Sequence, residues 1–147
     1  MIAARTQAEP FDAAAEAAAL TAGRVDIGAV VTFTGLVRAD DGLTSLTLEH
    51  YPAMTNRQMA TIAHEAEHRW PISAGTIIHR HGRLLPGEPI VLVAIASPHR
   101  AAAFEAAEFL MDWLKTKAPF WKAEERDSGT SWVAAKHEDD LAAARWS

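Results

Sequence analysis

The sequence predicts an α+β domain in which a largely antiparallel sheet is flanked by helices. Three observations carry this reading. Segments rich in β-branched residues come in neighbouring pairs rather than singly between helices, which disfavours a doubly wound parallel sheet. One segment, Pro89 to Ser97, is almost continuously apolar. Such a run belongs to a strand that is central in its sheet or covered on both faces. Two long segments repeat apolar residues at three- and four-residue steps, the period of a helix.

The elements follow in chain order. Pro10 suits the first turn of a helix, Phe11 and Leu20 supply its apolar anchors, and Gly23 suits its end. Ile27 to Val37 is rich in β-branched residues and reads as a strand. Asp40-Asp41-Gly42 is a turn signal. Leu46, Leu48 and His50 then alternate with Thr47 and Glu49, which predicts a second strand and, with the first, a hairpin. Met54 to Trp70 is helical, with Met59, Ile62, Ala63, Ala66 and Trp70 on one face, and Pro71 ends it. Gly75 to His81 reads as a strand, Pro86-Gly87 as a turn, and Pro89 to Ser97 as the buried strand.

Pro98 opens what the spacing predicts to be the longest helix. Its apolar face is Phe104, Ala107, Leu110, Met111 and Leu114, and its polar stripe is Glu105, Glu108, Asp112 and Lys115. Pro119 stops it. Phe120 to Arg126 and Ser131 to Ala135 read as two strands around a turn at Asp127-Ser128-Gly129, and a short helix runs through Ala144.

Length and composition bound the function. The 147 residues suit one domain spanning 1–147. The sequence has no cysteine, which removes disulfides, thiolate-bound zinc, iron–sulfur clusters and a cysteine nucleophile. A formal net charge of -5 argues against generic nucleic-acid binding. No apolar run approaches the roughly 20 residues that span a bilayer. Met1 to Pro10 lacks the apolar core of a signal peptide, so the expected location is the cytoplasm.

Three segments have the chemistry of a site. Ser97-Pro98-His99-Arg100 falls where a strand meets a helix, and unpaired N–H groups there favour an anion. Arg100 adds a bidentate donor and His99 a group that moves a proton or donates a hydrogen bond. The same residues also fit a plain helix start with Ser97 as cap. Lys115 to Lys122 carries three lysines with Phe120 and Trp121 and no acid. A lysine near apolar groups and other cations becomes a better acid–base group or nucleophile. A solvated helix end would show the same cations, and an Asp112–Lys115 surface pair is consistent with the spacing. Arg38, where a strand runs into a turn, reaches an anion or closes a strand end. His64-Glu65-Ala66-Glu67-His68 has the spacing of a zinc-protease helix. No third ligand is evident and the apolar face lies elsewhere, so no metal site is expected.

Taken together, these segments resemble one family. Gly28 to Arg38 (GAVVTFTGLVR), Leu46 to Pro52 (LTLEHYP), Arg69 to Ile72 (RWPI), Ile78 to Gly82 (IHRHG), Leu85 to Glu88 (LPGE), Ser97 to Arg100 (SPHR), Phe104 to Ala107 (FEAA), Met111 to Lys122 (MDWLKTKAPFWK) and Trp132-Val133 stand in its order. The chain resembles the large, catalytic subunit of molybdopterin synthase over roughly residues 10–146. The resemblance implies an α/β-hammerhead fold. It implies conversion of cyclic pyranopterin monophosphate (precursor Z) into molybdopterin by insertion of two sulfurs. The sulfur would come from the thiocarboxylated C-terminal Gly-Gly of a small ubiquitin-like subunit, one at each end of a central homodimer. No resident cofactor is expected. By the same resemblance Lys115 is the essential lysine and Lys122 a second one, while Arg38, His99, Arg100 and Met111 line the substrate pocket. Lys136 stands where an arginine from the neighbouring large subunit is expected, so the charge is kept and the bidentate fork is lost. The turn after Arg38 is shorter than the family pattern. Two other classes fit the basic groups alone: a non-catalytic phosphate- or nucleotide-binding module, and a structural partner for a ubiquitin-like protein.

Overall fold

The computed structural model describes residues 1–133 and 137–146. Its elements in order are β1 (Ile2–Gln7), α1 (Ala13–Thr21), β2 (Ala29–Leu36), β3 (Leu43–His50), α2 (Pro52–Arg69), β4 (Ala74–Arg80), β5 (Gly82–Leu84), β6 (Pro89–Ser97), α3 (Arg100–Thr116), β7 (Phe120–Arg126), β8 (Gly129–Val133) and α4 (His137–Ala144). The α+β composition and mostly antiparallel pairing are those the sequence predicts. The strands form two four-stranded sheets, ordered β1-β4-β6-β2 and β5-β3-β7-β8, rather than one.

The first sheet is built around β6. From Val91 to Ser97 every residue is buried. α2 and α3 cover one face, where Met59, Ala66, Ala103, Ala106 and Leu110 meet Ile77, Val93 and Ile95. α1 covers the other, where Leu20 packs on Ile78, Leu92 and Ala94. The continuous apolar run therefore follows from coverage on both sides. α3 packs closely because alanines line its inner face. Phe104, assigned to that face by spacing, is instead 62% exposed. At 18 residues α2 is one longer than α3, against the expected order.

One expectation fails and one element goes unforeseen for the same reason, long-range pairing. β2 and β3 do not form a hairpin. β2 pairs with β6 along Ala29–Leu36, and β3 pairs with β5 and β7. The Asp40-Asp41-Gly42 turn is real, with Asp41 at φ 52° and Gly42 at φ 73°, but it carries the chain from one sheet to the other. β1, unforeseen in the sequence, pairs in parallel with β4. It is anchored by Ile2, whose N–H donates to Glu67 Oε1 at 2.6 Å.

The second sheet lays one face against the first. Leu46, Leu48 and Leu84 form that inner face, with Val37 beside them. Phe120, opposite His50 in the β3–β7 register, stacks on His79 of β4 with ring centroids 3.9 Å apart. That stack ties the two sheets together beside the cleft described next.

Candidate active site

The Met111–Lys122 segment builds the site by folding back on itself. Met111 and Lys115 are four residues apart on α3 and share a face. α3 ends as the Lys117 N–H donates to the Trp113 carbonyl at 2.8 Å, and Pro119 forbids continuation. The chain re-enters as β7, where Lys122 lies opposite Leu48 on β3 and Val133 on β8. Two lysines seven residues apart thus reach one opening from a helix end and a strand. Their floor is Leu46, Leu48, His79, Ile90, Val91, Met111 and Leu114.

Beside this floor lies an open cleft of about 590 Å³ that shares Lys115 and Lys122 with it and includes Arg38 in its lining. Arg38 is placed by the backbone around it: the Val37 N–H donates to the Glu88 carbonyl at 2.9 Å, and the Val37 carbonyl accepts from Gly87 at 2.7 Å. Its guanidinium pairs with Asp40 at 2.6 Å and is largely exposed. The cleft is lined by the cations Arg38, Lys115, Lys122 and Arg126 and by the acids Asp40, Glu124 and Asp139. Arg126 is paired with Glu124. The setting is an apolar floor under convergent ammonium and guanidinium groups, at the C-terminal end of α3, where the helix dipole favours cations.

His99 and Arg100 lie elsewhere. They stand exposed at the start of α3, about 22 Å along the helix axis from Lys115. Within one chain they do not line the cleft, and the cationic centre lies at the opposite end of the helix from the anticipated N-terminus. Ser97 is not the helix cap. His99 holds that position, while the buried Ser97 hydroxyl donates to the Pro71 carbonyl at 2.7 Å and accepts from the His99 N–H at 3.1 Å. Lys136 lies outside the described residues. The carboxylate of Asp112 accepts from Arg145 at 2.9 Å and from Trp146 Nε1. Among the described residues no group of three or more histidines or carboxylates is placed to hold a metal, and His64 is largely exposed.

Sequence reasoning missed His79. Its ring is 6% exposed and forms part of the floor beneath both lysines. Burial, offset in part by the hydrogen bond to the Arg80 carbonyl and reinforced by Lys122 and Lys115, pushes its pKa down to about 3. The signal available in the sequence was a histidine, His79, directly after the apolar pair Ile77 and Ile78. A further recess of about 420 Å³, between α2, α3 and α4, is lined by Arg69, Phe109, Trp113 and Trp146 and gathers none of the predicted site residues.

Fold and cleft together define an α+β protein of two packed sheets with an open cleft lined by two lysines, two arginines and three carboxylates. The family model described as MoaE protein matches residues 6–117. A molybdopterin synthase catalytic subunit from Mesorhizobium japonicum is 58% identical over 145 residues, covering 97% of this chain and 91% of that one. The solved molybdopterin biosynthesis MoaE protein of Burkholderia ambifaria is 49% identical, covers 99% of this chain and 98% of its own, and superposes with a TM-score of 0.85. A crystal structure of molybdopterin synthase from Staphylococcus aureus is 32% identical, with a TM-score of 0.80 over 88% of this chain and 96% of that one. The chain belongs to the MoaE family.

Proposed function

We propose that the chain is the catalytic subunit of molybdopterin synthase and works in molybdenum-cofactor biosynthesis as a sulfurtransferase. Its substrate is cyclic pyranopterin monophosphate, and two sulfurs are inserted to make the dithiolene of molybdopterin. The observation that carries this reading is the convergence of Lys115, Lys122 and Arg38 on one cleft, with Met111 in the adjoining floor beneath the lysines.

The chemistry follows from that placement. The substrate is anionic through its cyclic phosphate, and Arg38 supplies a guanidinium in the lining of the cleft. The sulfur donor is the thiocarboxylate at the C-terminal Gly-Gly of a small ubiquitin-like subunit, whose tail enters toward Lys115. The designation catalytic subunit, carried by relatives such as that of Mesorhizobium japonicum, supports a multi-subunit enzyme. In each transfer the thiocarboxylate sulfur bonds to a side-chain carbon of the substrate as an oxygen on that carbon leaves, water then cleaves the acyl–sulfur bond to return the small subunit's carboxylate, and the leaving oxygen develops negative charge beside Lys115. An ammonium there stabilises that charge or delivers a proton, with Lys122 as the second cation. The absence of cysteine agrees with sulfur arriving on a partner.

His99 and Arg100 fit the same pocket only if a second copy supplies them, because α3 separates them from Lys115 in one chain. The central homodimer offers that arrangement, and Lys136 is assigned to the same interface. The whole of 1–147 is taken as one domain acting in the cytoplasm. No helix of the described residues is long and apolar enough to cross a membrane.

The test is reconstitution: precursor Z and thiocarboxylated small subunit are supplied and molybdopterin is measured. The Lys115→Ala variant is expected to lose about 100-fold or more in rate. Near-full activity would overturn its role. Tight binding of precursor Z without turnover by the wild-type complex would favour the phosphate-binding module instead.

A further inference from the structure

Beneath the lysines lies a histidine whose orientation is fixed from two sides. The His79 ring stacks on Phe120 at 3.9 Å and 19°. Its Nδ1 is 2.8 Å from the Arg80 carbonyl oxygen. A carbonyl only accepts, so Nδ1 carries the proton and Nε2 keeps its lone pair. Phe120 is itself backed by His50, ring to ring at 5.3 Å, and His50 by His81 at 4.6 Å. The stack leaves the His79 ring little room to rotate, in a floor shared with Lys115 and Lys122.

We propose that His79 is a positioning residue for the lysine pair, providing through Nε2 an uncharged hydrogen-bond acceptor that fixes where an ammonium group stands in the cleft. This rests on the assignment of Lys115 and Lys122 to the chemistry. Burial and the two lysines favour the neutral imidazole. Lys115 of α3 and Lys122 of β7 raise the local potential, His50 of β3 is itself held toward its neutral form by burial and by His81, and the adjacent Arg80 guanidinium is buried. The Glu88 carboxylate lies 3.8 Å from the Arg80 guanidinium. A protonated His79 would place a further positive charge under two cations in a buried floor, so the neutral form is the one this environment selects.

The experiment compares His79→Phe, His79→Leu and His79→Gln. Phenylalanine and leucine keep apolar packing and lose the acceptor, while glutamine restores one. In the reconstituted reaction the first two are expected to lose about tenfold or more in kcat. Their KM is expected to stay within about threefold of wild type. The basic limb of the rate–pH profile should move to lower pH, since an ammonium without its acceptor gives up its proton more readily. Glutamine should recover most of the rate and the profile. Unchanged kcat and profile in His79→Phe or His79→Leu would overturn the proposal, as would a glutamine variant as impaired as the leucine one. A second readout is independent of turnover: amine labelling of Lys115 and Lys122 by trinitrobenzenesulfonate at fixed pH, followed by peptide mass spectrometry. At least one lysine should label about threefold faster in the phenylalanine and leucine variants. Unchanged labelling overturns the proposal whatever the activity. A wild-type complex that makes no molybdopterin, with the labelling shift present, would overturn the proposed function and leave the role of His79 standing.

Discussion

A neutral imidazole held in a buried floor makes stability depend on pH in a calculable way. In the unfolded chain His79 titrates near 6.5, and in the folded protein burial holds it to about 3. Between those values the unfolded state binds a proton that the folded state refuses. The stabilisation is therefore fully present above the unfolded value and is lost as pH falls toward the folded one. The slope is about 1.4 kcal/mol per pH unit for one such group, giving a loss of about 3 kcal/mol by about pH 4.5. That is a large fraction of the roughly 5–15 kcal/mol that holds a domain folded. The perturbation is His79→Phe, which keeps an aromatic ring against Phe120 and removes the titration. Urea unfolding of both proteins from about pH 7.5 to about pH 4.5 isolates the term, because every other group is common to the pair. His50, also pushed down by burial and by His81, is one of those shared groups. The wild type should lose about 3 kcal/mol relative to the variant as pH falls over this range. Curves that remain parallel would refute the buried neutral imidazole.

Three further outcomes follow from packing. Gly28→Ala puts a Cβ 2.3 Å from the Pro98 carbonyl oxygen, a backbone atom that cannot simply rotate away. It should cost about 1–3 kcal/mol in urea unfolding, and an unchanged midpoint would contradict the close approach. Leu110→Ala, at a site with no exposure between α3 and the first sheet, should cost about 3 kcal/mol by the same measurement. Arg80→Met removes a buried guanidinium that donates to the Ala8 carbonyl from Nε and Nη2 and to the Pro89 carbonyl from Nη1. The orphaned carbonyls should cost about 3 kcal/mol, and amide exchange should speed up first in β1.

Much of the architecture was legible because its signals are local. The alternation of Leu46, Leu48 and His50 against Thr47 and Glu49 gave an inner and an outer face, and the structure keeps both. The β7 bounds, Phe120–Arg126, are those read from the sequence. Errors gathered where partners are distant in the chain. β1 has no clear alternation and exists because β4, more than sixty residues on, offers it an edge. The supposed β2–β3 hairpin failed because a turn signal shows where the chain bends, not which strand it joins.

The site divides the same way. The motif around Lys115 and Lys122 stands out in the sequence because three lysines without an acid are unusual in an acidic chain. Phe104 shows the limit of helical spacing, which finds a face but not its edge. His79 was passed over because nothing nearby in sequence links it to α3 or β7.

By itself the sequence determined the α+β class, most of the elements and the lysine-bearing segment, since each rests on residue type and on periods of a few residues. Only the tertiary structure decided that the strands divide into two sheets, that Arg38 joins Lys115 and Lys122 while His99 and Arg100 stand a helix length away, and that His79 underlies the pair. Those outcomes depend on pairing and burial between segments far apart in the chain, and no local pattern encodes which of the possible partners buries the most surface.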